Sequence, residues 1–73
     1  MTRRKAKRPW PWVTITKKGE LALRGGHPWV YAGEVIEVNG AADGGLCDVM
    51  GQGQRYLGTG FYNSNSLLRV RVF

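Results

Sequence analysis

The chain has 73 residues, with 11 lysines and arginines against 5 acidic residues, for a formal charge of +6. This length allows one small domain and excludes a two-domain enzyme with a deep cleft. The sequence has no stretch of the ~20 apolar residues that a membrane span needs and no pattern typical of a signal peptide, so neither is expected. One cysteine cannot form an internal disulfide, and one histidine cannot supply a zinc cluster. We therefore expect a cytoplasmic domain without a metal, which could be part of a longer protein.

The positive charge is concentrated at the start of the chain. Residues 1–18 carry a net charge of +7, whereas residues 19–73 carry −1. A charged run with few apolar residues cannot offset the entropy lost on ordering. We therefore predict a disordered basic arm at residues 1–9, followed by one domain at residues 10–73. The arm either contacts nucleic-acid phosphates or is a solubilising tail, and charge alone leaves both open.

Short apolar runs alternate with glycine, which makes up 11 of the 73 residues. This spacing is typical of a small β-barrel or sandwich. We predict five or six strands and one short helix. The helix is expected at about residues 19–25, with Gly25 as a left-handed cap. The strands are expected at residues 12–16, 29–38 (bent at Gly33), 46–50, 55–62 and 67–73, and Asn39-Gly40 and residues 51–54 are expected to form turns.

The aromatic and arginine residues suggest where a ligand could bind. Trp29 and Phe61 are expected in the core, because a domain this small needs large aromatic side chains there. Tyr62 is the candidate for exposure and for stacking on a base. Arg69 and Arg71 alternate with apolar residues and should share one strand face. A second basic lobe could be formed by Lys17, Lys18 and Arg24. The alternative for Arg69 and Arg71 is an ordinary solvated strand face.

Catalytic patterns are weak. Gly51-Gln52-Gly53 lacks the third glycine and the following helix of a dinucleotide site, so a turn is favoured. His27 could act as a base with Asp43 or Asp48, yet no nucleophile accompanies it, and a backbone hydrogen bond at a turn is the simpler interpretation. Cys47 lies in an apolar strand and is interpreted as a small core residue.

Three segments together resemble a known family. They are residues 23–35, which contain His27-Pro28-Trp29-Val30-Tyr31-Ala32-Gly33, then Cys47-Asp48-Val49, then residues 57–72, which contain Gly58-Thr59-Gly60-Phe61-Tyr62-Asn63 and Leu68-Arg69-Val70-Arg71-Val72. They resemble the N-terminal PUA domain of the S-adenosylmethionine-dependent 23S rRNA cytosine-5 methyltransferases. The sequence departs from that pattern at Tyr31-Ala32, where the family has Phe-Ser, and at Ser64, where proline is usual.

The resemblance implies a mainly β PUA-like pseudo-barrel that binds structured RNA, and the partners it implies are 23S rRNA and a catalytic methyltransferase domain of the parent protein. It places Arg24, Gly25, Gly26 and His27 near the RNA, with Arg69 and Arg71 lining the same groove. It also implies that S-adenosylmethionine and the catalytic cysteines belong to a domain absent here, so this chain is expected to be a monomeric, non-catalytic module without a cofactor. The alternatives are an interdomain docking barrel with little RNA affinity and a small enzyme using His27.

Overall fold

Residues 10–73 form six strands and one α-helix in the computed structural model, which describes these residues; the predicted basic arm lies outside them. The mainly β prediction with one short helix is confirmed. In chain order the elements are β1 (Trp12–Ile15), α1 (Lys17–Arg24), β2 (Trp29–Tyr31), a 3-10 turn (Ala32–Glu34), β3 (Val35–Asn39), β4 (Leu46–Met50), β5 (Tyr56–Tyr62) and β6 (Leu68–Val72).

The strands form one sheet in the order β2-β6-β5-β4-β1-β3. The β1–β4 pair is parallel and the other pairs are antiparallel. The edge strands β2 and β3 are joined by the three-residue 3-10 turn alone. A connection that short requires the two edges to meet at one end, so the sheet curls into a half-barrel, in agreement with the pseudo-barrel prediction.

The prediction of one bent strand over residues 29–38 was wrong. The chain breaks at Ala32–Glu34, and the two halves pair with different partners, β2 with β6 and β3 with β1. The break is held by two hydrogen bonds: the Tyr31 N–H donates to Glu34 Oε1 at 2.9 Å, and the Ala32 N–H donates to the Leu67 carbonyl at 2.8 Å. Gly33 therefore lies in a turn between the two sheet edges.

Helix α1 begins two residues earlier than predicted. Thr16 is the N-cap, and its Oγ1 accepts a hydrogen bond from the Gly19 N–H at 3.1 Å, which satisfies one of the unpaired donors of the first turn. Gly19 lies inside the helix, at a position where a side chain would be crowded: a Cβ there would lie 3.2 Å from the Glu34 Cβ. The lack of a side chain at Gly19 thus lets α1 pack closely against the 3-10 turn.

The left-handed residue that ends α1 is Gly26 rather than the predicted Gly25. Gly25 has φ −82°, whereas Gly26 has φ +103°. The Gly26 N–H donates to the Leu23 carbonyl at 3.1 Å and the His27 N–H donates to the Ala22 carbonyl at 3.0 Å. These two bonds form a Schellman motif, in which the residue after the C-cap adopts the left-handed conformation.

The core lies on the inner face of the curled sheet. It consists of small and β-branched side chains together with one tyrosine ring: Val13, Ile15, Val30, Cys47, Val49, Val70 and Tyr62. Tyr62 is 6% exposed, whereas Trp29 is 36% and Phe61 is 51% exposed. The expectations for these three residues were therefore wrong: Tyr62 is inside, and Trp29 and Phe61 lie at the surface.

Two glycines explain why the large rings face outward. A Cβ at Gly60 would overlap the Arg71 carbonyl oxygen, and one at Gly58 would lie 3.0 Å from Val72 Cγ1. A side chain at Gly60 would therefore collide with the backbone of β6, and one at Gly58 would crowd the Val72 side chain. Phe61, next to Gly60 in an alternating strand, faces outward. Simple alternation along β5 would put Leu57 on the same face as Phe61. The register between β4 and β5 shifts at Leu57, however, and the Leu57 side chain packs against the core.

Candidate nucleic-acid interface

The pairing of β2 with β6 joins two parts of the predicted site. Trp29 lies directly opposite Arg71, and the Val72 N–H donates to the Pro28 carbonyl at 2.7 Å. The turn after α1 leads straight into β2, so Gly25, Gly26 and His27 lie at the end of the strand pair that carries Arg71. The sequence did not indicate which strand would receive β2.

The turn offers an accessible backbone. Gly25, Gly26 and His27 are exposed, and a Cβ at Gly26 would meet no atom within 4 Å. A ligand can therefore approach the main chain closely at this point, which is the usual role of glycine beside a phosphate backbone. The exposed His27 ring is also accessible to a ligand, whereas the His27 backbone N–H is already bonded to Ala22.

Arg24 is held by a buried carboxylate. Glu20 Oε2 forms an ion pair with Arg24 Nη2 at 3.1 Å and accepts a hydrogen bond from Arg55 Nη2 at 2.6 Å. The Glu20 side chain is 3% exposed, whereas the two arginine side chains are 59% and 52% exposed. A guanidinium has five N–H donors, so this arrangement fixes two cations and leaves donors directed to solvent. Arg55 was not predicted, because its partner Glu20 lies 35 residues away in sequence.

Lys17 and Lys18 lie apart from the site that the β2–β6 pairing brings together, which consists of residues 25–27 and Arg71. Both are exposed in the first turn of α1, about 10 Å along the helix axis from Arg24 at a rise of about 1.5 Å per residue. The second basic lobe proposed from the sequence is therefore divided between the two ends of the helix, and Arg55 joins Arg24 at the second end.

The two arginines of β6 differ in their surroundings. Arg71 is exposed, whereas Arg69 is half-buried and its Nε donates to the Ser66 carbonyl at 3.1 Å. Near Arg69, the Asp43 carboxylate accepts from the Ser64 N–H at 2.6 Å and from Ser64 Oγ at 3.0 Å. These bonds, backbone first, lower the pKa of Asp43, and Arg69 adds a smaller effect in the same direction. Arg71 is thus the more accessible cation.

Aromatic side chains flank Arg71 on the outer face. Directly paired residues of neighbouring strands share a face, and the register places Trp29, Arg71 and Phe61 in one row across β2, β6 and β5. The Phe73 ring lies 5.4 Å from the Phe61 ring at an angle of 43°. Phe61, Arg71 and Phe73 line an open concavity of about 460 Å³. Tyr62 offers no exposed ring to this surface.

A hydrogen-bonded group lies on the neighbouring part of the same face. Asp48 Oδ1 accepts from Trp10 Nε1 at 2.8 Å and from Thr59 Oγ1 at 3.0 Å, and the Tyr56 hydroxyl bonds Thr59 Oγ1 at 2.6 Å. The Asp48 N–H also donates to the Pro11 carbonyl at 2.9 Å. These contacts attach the segment that follows the basic arm to the outer face of β4 and β5.

The weak catalytic patterns gain no support from the geometry. Asp43 and Asp48 are both engaged in the hydrogen bonds above rather than with His27. The turn at residues 51–53 continues into β5 and not into a helix, so it forms no phosphate-binding helix start. Within residues 10–73 no three His, Cys, Asp or Glu side chains cluster as metal ligands. No helix in that range is long and apolar enough to cross a membrane.

Comparison with known proteins identifies relatives of the chain. A family model described as a PUA-like domain matches residues 13–73. The chain is 42% identical over 61 residues to a ribosomal RNA large subunit methyltransferase of Deinococcus radiodurans, a match that covers 82% of this chain and 15% of that protein. It is 36% identical over 62 residues to ribosomal RNA large subunit methyltransferase I of Alteromonas mediterranea, covering 84% of this chain and 16% of the relative.

Proposed function

The chain belongs to the PUA-like domain family, and we propose that it is an RNA-binding module that helps to position ribosomal RNA for a methyltransferase domain. One observation carries the proposal: the β2–β6 pairing places the glycine turn at residues 25–26 beside the strand that holds Arg71. A turn without side chains lets an RNA backbone approach closely, and the exposed Arg71 guanidinium beside it can contact the phosphate oxygens.

The relatives support a more specific form of the proposal. They are ribosomal RNA methyltransferases, and the chain spans about one sixth of their length. We infer that the parent protein methylates cytosine at C5 in 23S rRNA, and that S-adenosylmethionine and the catalytic cysteines belong to the remaining part. Within this proposal the present domain is cytoplasmic, monomeric and non-catalytic, and Lys17, Lys18, Arg24, Arg69 and Arg71 supply its phosphate contacts.

A docking role is the second candidate. Residues 10–73 carry six cationic and five acidic side chains, and this nearly balanced charge gives little long-range attraction to RNA. The exposed rings of Phe61 and Phe73 would suit contact with another domain. In that case the basic arm would provide most of the RNA affinity.

Amide chemical-shift mapping during titration with a 23S rRNA hairpin tests the proposal. We expect shifts at residues 24–27 and 69–71, because the open turn and the arginine strand would contact the RNA. Removing residues 1–8 takes away five cations. Each phosphate contact contributes roughly −0.7 to −0.9 to the slope of log K against log salt concentration, so truncation should make this slope shallower. The chemical shifts at residues 24–27 and 69–71 should still change on titration.

The opposite pattern would favour docking. Shifts confined to the basic arm, with no measurable hairpin affinity after its removal, would show that residues 10–73 do not bind RNA by themselves. If the affinity of the 73-residue chain for the hairpin does not change between low and moderate salt, phosphate recognition is contradicted altogether.

A further inference from the structure

The outer face of β2, β6 and β5 carries three neighbouring aromatic side chains that a small domain would ordinarily bury. Trp29 and Phe61 are both partly exposed, and Phe73 is 75% exposed. They lie in one patch, since Trp29 and Phe61 flank Arg71 in the strand register and Phe73 contacts Phe61. A contiguous apolar patch of this kind marks a binding surface more often than scattered exposed residues do.

The charge around the patch favours an anionic partner. Strands β2, β5 and β6 contain no acidic residue, and Arg71 lies between the two aromatic rings. The nearest acid on β4 is Asp48, which is 7% exposed and accepts from Trp10 and Thr59. The same Trp10 contact holds the start of the described chain on this side of the sheet, and five cationic residues precede Trp10 in the sequence. The surface thus combines aromatic rings with positive charge.

The dimensions of the patch suit nucleic-acid bases. Neighbouring strands lie about 4.8 Å apart, so the row from Trp29 through Arg71 to Phe61 spans about 10 Å. RNA-binding sheets use exposed aromatic residues as platforms on which two or three unpaired bases stack. A guanidinium between the rings can contact the phosphate that joins two stacked nucleotides or stack on a base itself.

We propose that Trp29, Phe61 and Phe73 form a stacking platform for unpaired RNA bases and that Arg71 contacts the adjoining backbone. This inference rests on the proposed function and specifies its ligand: looped or single-stranded RNA, bound on the outer sheet face. It differs from contact at the glycine turn, which needs only a sugar–phosphate backbone.

Two RNA probes separate stacking from charge. The 73-residue chain is titrated with a fluorescent ten-nucleotide single strand and with a ten-nucleotide strand that is abasic at every position, which keeps the phosphates but removes the bases. Loss of base–aromatic stacking lowers affinity by roughly 5-fold or more for each base. We therefore expect clearly weaker binding of the abasic strand, whereas equal affinity for the two strands would overturn the platform.

Substitutions locate the effect on the surface. Phe61→Ala should weaken binding of the intact strand by roughly 5-fold or more, and Phe61→Leu should also weaken it because an aliphatic side chain keeps apolar area but has no ring. Ile36→Ala, an exposed apolar truncation on β3, is the matched control and should leave affinity unchanged. Neither Phe61 variant should alter binding of the abasic strand.

The outcomes distinguish this inference from the proposed function. If the 23S rRNA hairpin binds but Phe61→Ala and Phe61→Leu bind the intact strand like the original chain, the platform is wrong and the RNA-binding role stands. If neither hairpin nor single strand binds, both are wrong. If Phe61→Leu retains full affinity while Phe61→Ala loses it, the surface recognises apolar area rather than bases, which also contradicts stacking and favours docking to a protein.

Discussion

The two faces of the curled sheet are filled by different kinds of side chain. The inner face holds valines, one isoleucine and Cys47, all fully buried, together with the ring of Tyr62. The outer face holds Trp29, Phe61 and Phe73 in exposed positions. A simple expectation from hydrophobicity would place the largest apolar rings inside, because they bury the most area.

The difference indicates that the space inside the barrel, together with hydrophobicity, decides which residues are buried. The backbone of β6 passes so close to Gly60 that no side chain fits there, and the Val72 side chain crowds the space at Gly58. Short β-branched side chains fill the remaining narrow interior in few rotamers. Tyr62 is the aromatic ring of this core, whereas Trp29, Phe61 and Phe73 lie on the surface, where they are available for a ligand.

The largest expected effect comes from filling the space at Gly60. In Gly60→Ala the new Cβ would overlap the Arg71 carbonyl oxygen in the backbone of β6, and a backbone atom cannot move aside as a flexible side chain can. We expect the free energy of unfolding to fall by about 3 kcal/mol or more, measured by urea denaturation. The chemical shifts of β5 and β6 should show the largest changes.

Gly33→Ala is the matched control. A Cβ at Gly33 would meet no atom within 4 Å, and its backbone lies outside the left-handed region. This variant should remain within about 1 kcal/mol of the original chain. Equal stability of the two variants would show that β6 does not approach β5 as closely as described.

Local patterns in the sequence predicted much of the fold. The strand at residues 46–50 was predicted with the bounds that the structure shows, and the alternation of Arg69 and Arg71 with apolar residues predicted β6. The break between β2 and β3 was missed because Trp29-Val30-Tyr31 and Val35-Ile36 both favour extended backbone. What separates them is pairing with different strands, which no local pattern contains.

The candidate site was predictable in part for the same reason. The turn at residues 24–27 and the arginines of β6 were identified from the sequence, but their proximity depends on the register that pairs Trp29 with Arg71. The exposure of Phe61 depends on the narrow β5–β6 interior, and the role of Arg55 depends on its contact with the distant Glu20. These features arise from tertiary packing.

Alkaline pH should lower the free energy of unfolding, because the buried Cys47 thiol resists ionisation in the folded chain. Burial, and secondarily the Asp48 carboxylate, raises the pKa of the Cys47 thiol from 9.0 to about 11. Between these values the unfolded chain loses a thiol proton that the folded chain retains, so stability present below pH 9 is lost as the pH rises towards 11. We expect a loss of about 2 kcal/mol by pH 10.5, at about 1.4 kcal/mol for each pH unit.

Cys47→Ala isolates this contribution, since lysines and tyrosines titrate in both chains. Urea denaturation at pH 7.5 and 10.5 should give a smaller pH-dependent loss for the variant, even if its stability at pH 7.5 is already lower. Identical losses in the two chains would mean that the thiol ionises as readily in the folded chain as in the unfolded one. Slow alkylation of Cys47 at pH 8 in the folded original chain is expected on the same grounds.

The smallest expected difference compares the same chemical change at a buried and at an exposed position. Ile15→Val removes one methylene from a fully buried side chain, whereas Ile36→Val removes it from a side chain that is more than half exposed on β3. The buried change should lower the free energy of unfolding by about 1 kcal/mol, because it leaves a void in the valine-lined interior. The exposed change should cost less than about 0.5 kcal/mol. Equal costs in urea denaturation would imply that the interior relaxes around the missing methylene, and a core that adapts so readily could not force the aromatic rings outward by lack of space.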